Sequence, residues 1–159
     1  MRISGLRITP VNIPLESPLW WSGGLYPGTS KLVIEVETDA GIVGLGEAPS
    51  VELYRSVQCM GERIIGLDRL DIATCEARCV PPWQIVQNTD DSSIVKAFGS
   101  IELALWDIRG KAWNQPVYQL LGGAVRREVD FTEYFGFRHG REMTPEARNC
   151  PRGPLHRCL

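Results

Sequence analysis

A long amphipathic helix in the second half of the sequence constrains the fold more than any other feature. Its apolar side chains recur at alternating spacings of four and three residues: Ile94, Phe98, Ile101, Leu105, Ile108 and Ala112. This period places them on one face of a helix. Ser92 and Ser93 can cap the start of the helix, and Pro116 stops it. Because a helix with one apolar face must bury that face, the chain needs a second layer of structure.

The first 48 residues predict an antiparallel sheet. The first apolar strand is interrupted at Pro10, which suits an edge or a bend. In the segment 31–38 alternate residues are apolar, as is typical of a half-buried strand. A turn in which Gly41 can adopt a positive φ leads to the returning segment 42–47. Together the two segments predict a β-hairpin.

The apolar period changes after Pro49. Residues 51–66 and 71–79 are predicted to be helical, and Pro81 stops the second of these helices. Residues 117–121 add a further turn, which two glycines close. The predicted fold class is therefore α+β, with a three-stranded antiparallel sheet followed by a helical bundle.

The segment between the first two strands carries large aromatic side chains. Residues 15–30 contain two prolines and three glycines, which predicts a loop. Trp20, Trp21 and Tyr26 lie in this segment, where they form either a lid over a site or a satellite core against the sheet. Lys31 follows them and is the best-placed cation for an anionic ligand. The plainer interpretation is an exposed strand lysine.

Composition and charge exclude several classes of protein. With 17 Lys and Arg against 19 Asp and Glu, the net charge is -2, which gives no electrostatic basis for binding nucleic acid or a membrane surface. No apolar stretch in the sequence reaches the ~18 residues of a spanning helix. The N-terminal sequence also lacks the apolar run of a secretory signal. We therefore expect a cytoplasmic protein with neither nucleic-acid nor membrane partners.

The cysteines predict core residues rather than a scaffold of disulfides. The sequence has five cysteines, an odd number without a secretory signal. Cys75 and Cys79 share one helix face and could supply two metal ligands, but no second Cys or His pair lies near them in sequence. We interpret both as buried thiols.

The residues alone do not predict a catalytic site. Gly44 and Gly46 resemble the start of a dinucleotide-binding loop, but Pro49 replaces the third glycine, so the pattern favours close backbone approach in a strand. Glu102 and Asp107 lie five residues apart on one helix, so their carboxylates diverge and cannot act as a pair. On this evidence the chain would be a binding or interaction module.

The most specific segment is residues 97–122, AFGSIELALWDIRGKAWNQPVYQLLG. It closely resembles the helix pattern of the mandelate racemase/muconate lactonizing enzyme family, within the enolase superfamily. Two further blocks resemble the same family in the right order. They are residues 38–49, TDAGIVGLGEAP, which match its cap hairpin, and residues 126–131, RREVDF, which lead into its first barrel strand.

The resemblance implies a two-part enzyme, in which an α+β cap closes over the mouth of a modified TIM barrel. Residues 15–30 and about 50–56 then become its two specificity loops. The candidate substrate contacts are Trp20, Trp21, Tyr26 and Lys31. The family abstracts the proton α to a carboxylate with a Lys or His base and stabilises the enediolate on a divalent metal, usually Mg²⁺. Implied activities are acid-sugar dehydratase, racemase or cycloisomerase, on a small carboxylate substrate in a homo-oligomer.

The same resemblance assigns no catalytic or metal-binding residue to this chain, because the family carries them beyond the first barrel strand. A (β/α)₈ barrel takes ~250 residues, whereas the sequence of 159 residues ends soon after a predicted strand at 129–137. We expect a cap over 1–125, the first barrel strand and helix start over 126–147, and an aberrant, possibly frameshifted tail over 148–159. The isolated chain is predicted to be inactive. The alternative is a non-catalytic binding module or an inert truncation product.

Overall fold

The computed structural model describes residues 1–21, 24–81 and 93–130. Its elements in chain order are β1 (Ile3–Trp21), β2 (Gly24–Thr38), β3 (Val43–Ala48), a 3₁₀ turn (Val51–Leu53), α1 (Tyr54–Ile64), α2 (Ile72–Cys79), α3 (Ser93–Trp113) and α4 (Val117–Leu120). The strands form one sheet in the order β1–β2–β3, and β2 and β3 are antiparallel. The predicted α+β class, a three-stranded antiparallel sheet followed by helices, is confirmed.

The chain divides into two compact units. The first contains Met1–Val11 and Ser30–Arg127, and therefore holds the hairpin of β2 and β3 together with the helices. The second contains Asn12–Thr29 and, among the described residues, 128–130. The domain boundaries expected at residues 125 and 147 stay predictions.

The hairpin of β2 and β3 has the predicted alternation. Leu32, Ile34 and Val36 of β2 are fully buried. In the register of the two strands, Ile34 lies opposite Gly46, and Val36 lies opposite Gly44. Two of the three buried residues of β2 are therefore paired with glycines, and the third, Leu32, is paired with Ala48.

Helix α3 packs directly on β3, and the two glycines explain why the elements can approach so closely. A Cβ atom added at Gly44 would collide with the carbonyl oxygen of Ala104, and one added at Gly46 would collide with the carbonyl oxygen of Ser100. Any larger residue would push the helix away from the sheet. The interpretation of Gly44 and Gly46 as sites of close backbone approach is confirmed.

The predicted apolar stripe of α3 forms the centre of the core. Ile101, Leu105 and Ile108 are fully buried, and Phe98 is 4% exposed. Beyond Trp113, Asn114 adopts a left-handed φ of 51°, which ends the helix. The helical stripe is thus confirmed along most of its length.

Helices α1 and α2 lie within the two segments predicted for them. The carboxylate of Asp71 caps α2 by accepting a hydrogen bond from the backbone N–H of Thr74 at 3.0 Å. Val57 and Ile64 of α1 and Cys75 of α2 are fully buried. These side chains extend the core that α3 and the sheet begin.

The loop predicted over 15–30 is wrong, because most of this segment continues the two strands. Strand β1 runs to Trp21, and β2 begins at Gly24. The prolines are tolerated since β3 pairs with β2 only from Leu32 onward. Pro27 therefore lies in a ribbon paired on one side, where a missing N–H can face solvent.

Several predictions lie wholly or partly outside the described residues. Val129 and Asp130 have no regular secondary structure, and the rest of the strand predicted at 129–137 is not described. The same holds for the tail predicted at 148–159. Among the described residues, no helix is long and apolar enough to cross a membrane.

Candidate functional site

The candidate site residues lie along β1 and β2, which the sheet hydrogen bonds hold in extended form. The backbones of Trp20 and Trp21 form the last two positions of β1. Tyr26 lies near the start of β2 and is 42% exposed. Lys31 lies farther along β2, in the first compact unit, whereas Tyr26 belongs to the second.

Apolar side chains of the second unit are open to solvent. The exposed fraction is 50% for Ile13, 38% for Leu15, 47% for Leu25 and 42% for Tyr26. A satellite core would bury such groups. These four side chains therefore do not form a satellite core, and the role of Trp20 and Trp21 in a lid or in such a core stays a prediction.

Lys31 is paired with a carboxylate of the neighbouring strand. Its Nζ atom donates to Oε1 of Glu47 at 2.7 Å. The side chain of Lys31 is 27% exposed, and that of Glu47 is 59% exposed. An ion pair this open to water contributes only about 0–1 kcal/mol, so a bound anion can compete for Lys31. The cross-strand position of Glu47, opposite Val33, was the signal that could have revealed the pair.

Residues 50–56, expected to form a second specificity loop, begin a helix. Oγ of Ser50 accepts a hydrogen bond from the backbone N–H of Glu52 at 3.2 Å and so caps the 3₁₀ turn. Tyr54, the first residue of α1, is 38% exposed. It borders a shallow depression of about 180 Å³ that Ile8 also lines. This volume is below the ~300 Å³ of a typical ligand pocket.

Asp107 fastens α3 to the sheet. Its Oδ2 atom accepts a hydrogen bond from the backbone N–H of Leu45 at 2.8 Å and another from Nζ of Lys111 at 2.7 Å. Nζ of Lys111 also donates to the carbonyl oxygen of Val43 at 2.7 Å. Asp107 and Lys111 thus hold α3 against β3, so their role is structural. The spacing of four residues between Asp107 and Lys111 is the sequence signal of this pair, whereas their contacts with β3 depend on the tertiary fold.

Glu102 has a partner of its own. It accepts a hydrogen bond from Nε1 of Trp106 at 3.2 Å, one turn farther along α3. Asp107 by contrast binds the backbone of β3. The prediction that these two carboxylates do not form a pair is confirmed.

The cysteines of α2 are buried thiols, as interpreted from the sequence. Cys75 is fully buried and Cys79 is 3% exposed. Burial raises the pKa of the Cys75 thiol to about 11 and also raises the pKa of Cys79. Sγ of Cys79 lies 3.7 Å from the carbonyl oxygen of Met60, to which it donates. At neutral pH both groups are protonated members of the core.

The described residues do not fit a divalent metal site. Within 1–21, 24–81 and 93–130, no group of three or more His, Cys, Asp or Glu side chains could hold a metal ion. The carboxylates of Glu47, Glu102 and Asp107 accept hydrogen bonds from a lysine, a tryptophan and a backbone N–H group, respectively. Hard divalent cations need several free oxygen ligands, so this part of the chain supplies no step through a metal.

Comparison with protein families gives a match over most of the chain. A family model described as the N-terminal domain of mandelate racemase and muconate lactonizing enzyme matches residues 3–122. That range contains the sheet and all four helices.

Two relatives of known activity are similar to the chain. An N-succinyl-L-Arg/Lys racemase from Bacillus cereus is 27% identical over 157 residues, which cover 92% of this chain and 40% of the relative. A D-galactonate dehydratase from Klebsiella pneumoniae is 37% identical over 114 residues, covering 66% of this chain and 28% of the relative. The chain therefore spans less than half the length of either relative.

The fold is also similar to solved structures. An enolase from Thermobispora bispora, complexed with magnesium and formate, superposes with a TM-score of 0.73 and 31% sequence identity. The superposition covers 87% of this chain and 36% of that one. The similarity again involves only a part of the larger protein.

Proposed function

This chain belongs to the mandelate racemase/muconate lactonizing enzyme family of the enolase superfamily, and on that basis we propose that it is the capping region of an enzyme that abstracts the proton α to a carboxylate. The observation that carries the proposal is the match of residues 3–122 to the family's N-terminal domain. Dehydration of an acid sugar, racemisation and cycloisomerisation share this first step.

In this proposal the cap binds the substrate and excludes water from the site, whereas the barrel carries out the chemical step. An α-proton beside a carboxylate is weakly acidic, so its removal needs a placed base and charge stabilisation of the enediolate. When bound, Mg²⁺ supplies that stabilisation in the family. We assign the base and the metal ligands to the barrel portion of the longer family proteins. A similar structure that is complexed with magnesium supports the choice of metal.

We propose a small carboxylate as the substrate. The two relatives are named for galactonate and for N-succinyl amino acids, which are carboxylates. In this chain Lys31 is our candidate cation for the substrate carboxylate, which it would bind in exchange for the carboxylate of Glu47. Trp20, Trp21 and Tyr26 stay candidate substrate contacts.

A longer protein that contains this cap tests the proposal. If this cap is followed by the barrel of the family, the protein should exchange the α-proton of a small carboxylate, such as D-galactonate or N-succinyl-L-arginine, with D₂O in the presence of Mg²⁺. A protein with this cap and the barrel that exchanges the α-proton of no small carboxylate would overturn the proposal.

We further propose that the protein is cytoplasmic and that the complete enzyme is a homo-oligomer. Support for the first comes from Cys59, Cys75 and Cys79, which are free thiols. Free thiols are typical of reducing compartments. The second rests on the family membership.

A further inference from the structure

A buried arginine lies in the turn between α1 and α2. Arg69 is only 5% exposed. Its Nε and Nη1 atoms are buried and have no hydrogen-bond partner among the described residues. Two of its three guanidinium nitrogens are therefore desolvated and unpaired within 1–21, 24–81 and 93–130.

A second guanidinium adjoins the same turn. Arg109 of α3 donates from Nη2 to the carbonyl oxygen of Leu70, the residue after Arg69. Its guanidinium carbon lies 4.8 Å from the centre of the Trp106 ring. The Nε atom of Arg109 is likewise buried without a hydrogen-bond partner among the described residues.

The acidic side chains of the turn between α1 and α2 accept hydrogen bonds from groups close to them in sequence. Oδ1 of Asp68 accepts a hydrogen bond from the N–H of Leu70 at 3.0 Å. Asp71 accepts hydrogen bonds from the N–H and the hydroxyl of Thr74, at 3.0 and 2.5 Å, and these hold its pKa below the usual range. In the described ranges, no ion pair within 4.0 Å joins either carboxylate to Arg69 or Arg109.

A buried charge without a partner is strongly unfavourable, and a carboxylate is the group that guanidinium N–H donors pair with best. We propose that Arg69, flanked by Arg109, forms a carboxylate-binding site on the cap, separate from the candidate substrate contacts. Both a free carboxylate in solution and an Asp or Glu side chain of the polypeptide outside the described residues have the required chemistry. The site does not depend on the proposed enzymatic function.

Equilibrium unfolding of the 159-residue chain in urea tests this site. The measurement compares the wild type with R69M, which keeps much of the side-chain volume, and with R69K, which keeps the charge. The matched control is R63M, because Arg63 is exposed in the last turn of α1. Each protein is unfolded in chloride and in acetate at equal ionic strength.

If free carboxylates bind, acetate should stabilise the wild type and R63M increasingly as the logarithm of its concentration rises above the dissociation constant, but should not stabilise R69M. If the polypeptide supplies the carboxylate, acetate has no effect. In that case R69M should raise the unfolding constant about ten- to hundredfold, since a hydrogen bond to a charged group is lost. R69K should then fall between R69M and the wild type, because charge rather than packing is needed.

Three results would overturn the proposal. The first is an equal effect of acetate on R69M and the wild type. The second is an R69M variant as stable as the wild type in the absence of any acetate effect. The third, also without an acetate effect, is an R69K variant no more stable than R69M, which would show that Arg69 acts through packing alone.

Discussion

Two glycines of β3 determine how closely the sheet and its main helix can pack. At Gly44 and Gly46 an added Cβ atom would meet the carbonyl oxygens of Ala104 and Ser100, which are fixed by the α3 backbone. Backbone atoms cannot rotate away as a flexible side chain can. The contact therefore depends on the absence of a side chain at these two positions of β3.

We expect G44A to destabilise the fold by about 1–3 kcal/mol or more, because the helix has to move away from the sheet. The control is G99A, since a Cβ atom at Gly99 meets nothing within 4 Å. In the middle of α3, alanine should stabilise the helix by about 0.5–1 kcal/mol. Urea unfolding measures both changes, and a G44A variant as stable as the wild type would contradict the packing described for β3.

The buried thiols predict a dependence on pH. Burial raises the pKa of Cys75 from 9.0 to about 11. This group therefore stabilises the fold fully below pH 9, and its contribution is lost as the pH rises through about 11.

Exposed Cys59 should react with iodoacetamide from pH 7 to 9, whereas Cys75 should react only after unfolding. Peptide mapping by mass spectrometry distinguishes them, and labelling of native Cys75 at pH 8 would refute its assignment to the core.

The contacts of a single residue could be predicted from the sequence where they depend on one property of that residue alone. The lack of a side chain at Gly44 and Gly46 was enough to predict close approach. The ion pair of Lys31 with Glu47 was not predicted, because it depends on the register of two strands. The unpaired guanidinium of Arg69 depends on tertiary burial, which no local pattern shows.

At the scale of elements, the ribbon formed by the far ends of β1 and β2 shows why turn-forming residues can mislead. Pro18, Pro27 and three glycines predicted a loop at 15–30, yet strands cover most of it. A two-stranded ribbon leaves one edge of each strand unpaired, so proline removes no necessary hydrogen bond. Gly28 lies where the partner strand comes close, since a Cβ atom there would be 2.6 Å from the carbonyl oxygen of Ile13.

The first unit should fold without this ribbon. We expect that replacing Asn12–Thr29 by Asn-Gly, a two-residue hairpin turn, leaves the helical circular dichroism intact. The stability should change by no more than about 1 kcal/mol, because shortening a connection alters the closure entropy only slightly. Thermal and urea unfolding test this. Loss of cooperative unfolding would show that the core of Met1–Val11 and Ser30–Arg127 requires the ribbon.

For the molecule as a whole, the fold was predictable because the spacing of apolar residues and the positions of the prolines indicate the same elements along the chain. The alternation of β2, the stripe of α3 and the prolines after α2 and α3 each predicted the element that is present. The family membership, on which the proposed function rests, was predictable only from family motifs, above all the one at 97–122. The substrate contacts stay predictions, because they depend on a barrel that this chain does not contain among its described residues.

The central claim is that this chain is the cap of an enzyme whose base and metal ligands lie in the barrel. Proton NMR in D₂O tests it most directly, by following the α-proton of D-galactonate and of N-succinyl-L-arginine with Mg²⁺ and the purified 159-residue chain. We expect no loss of the α-proton signal beyond that in buffer with Mg²⁺ alone. Magnesium-dependent exchange catalysed by the 159-residue chain would contradict the claim, because it would place a base and a metal site within the chain itself.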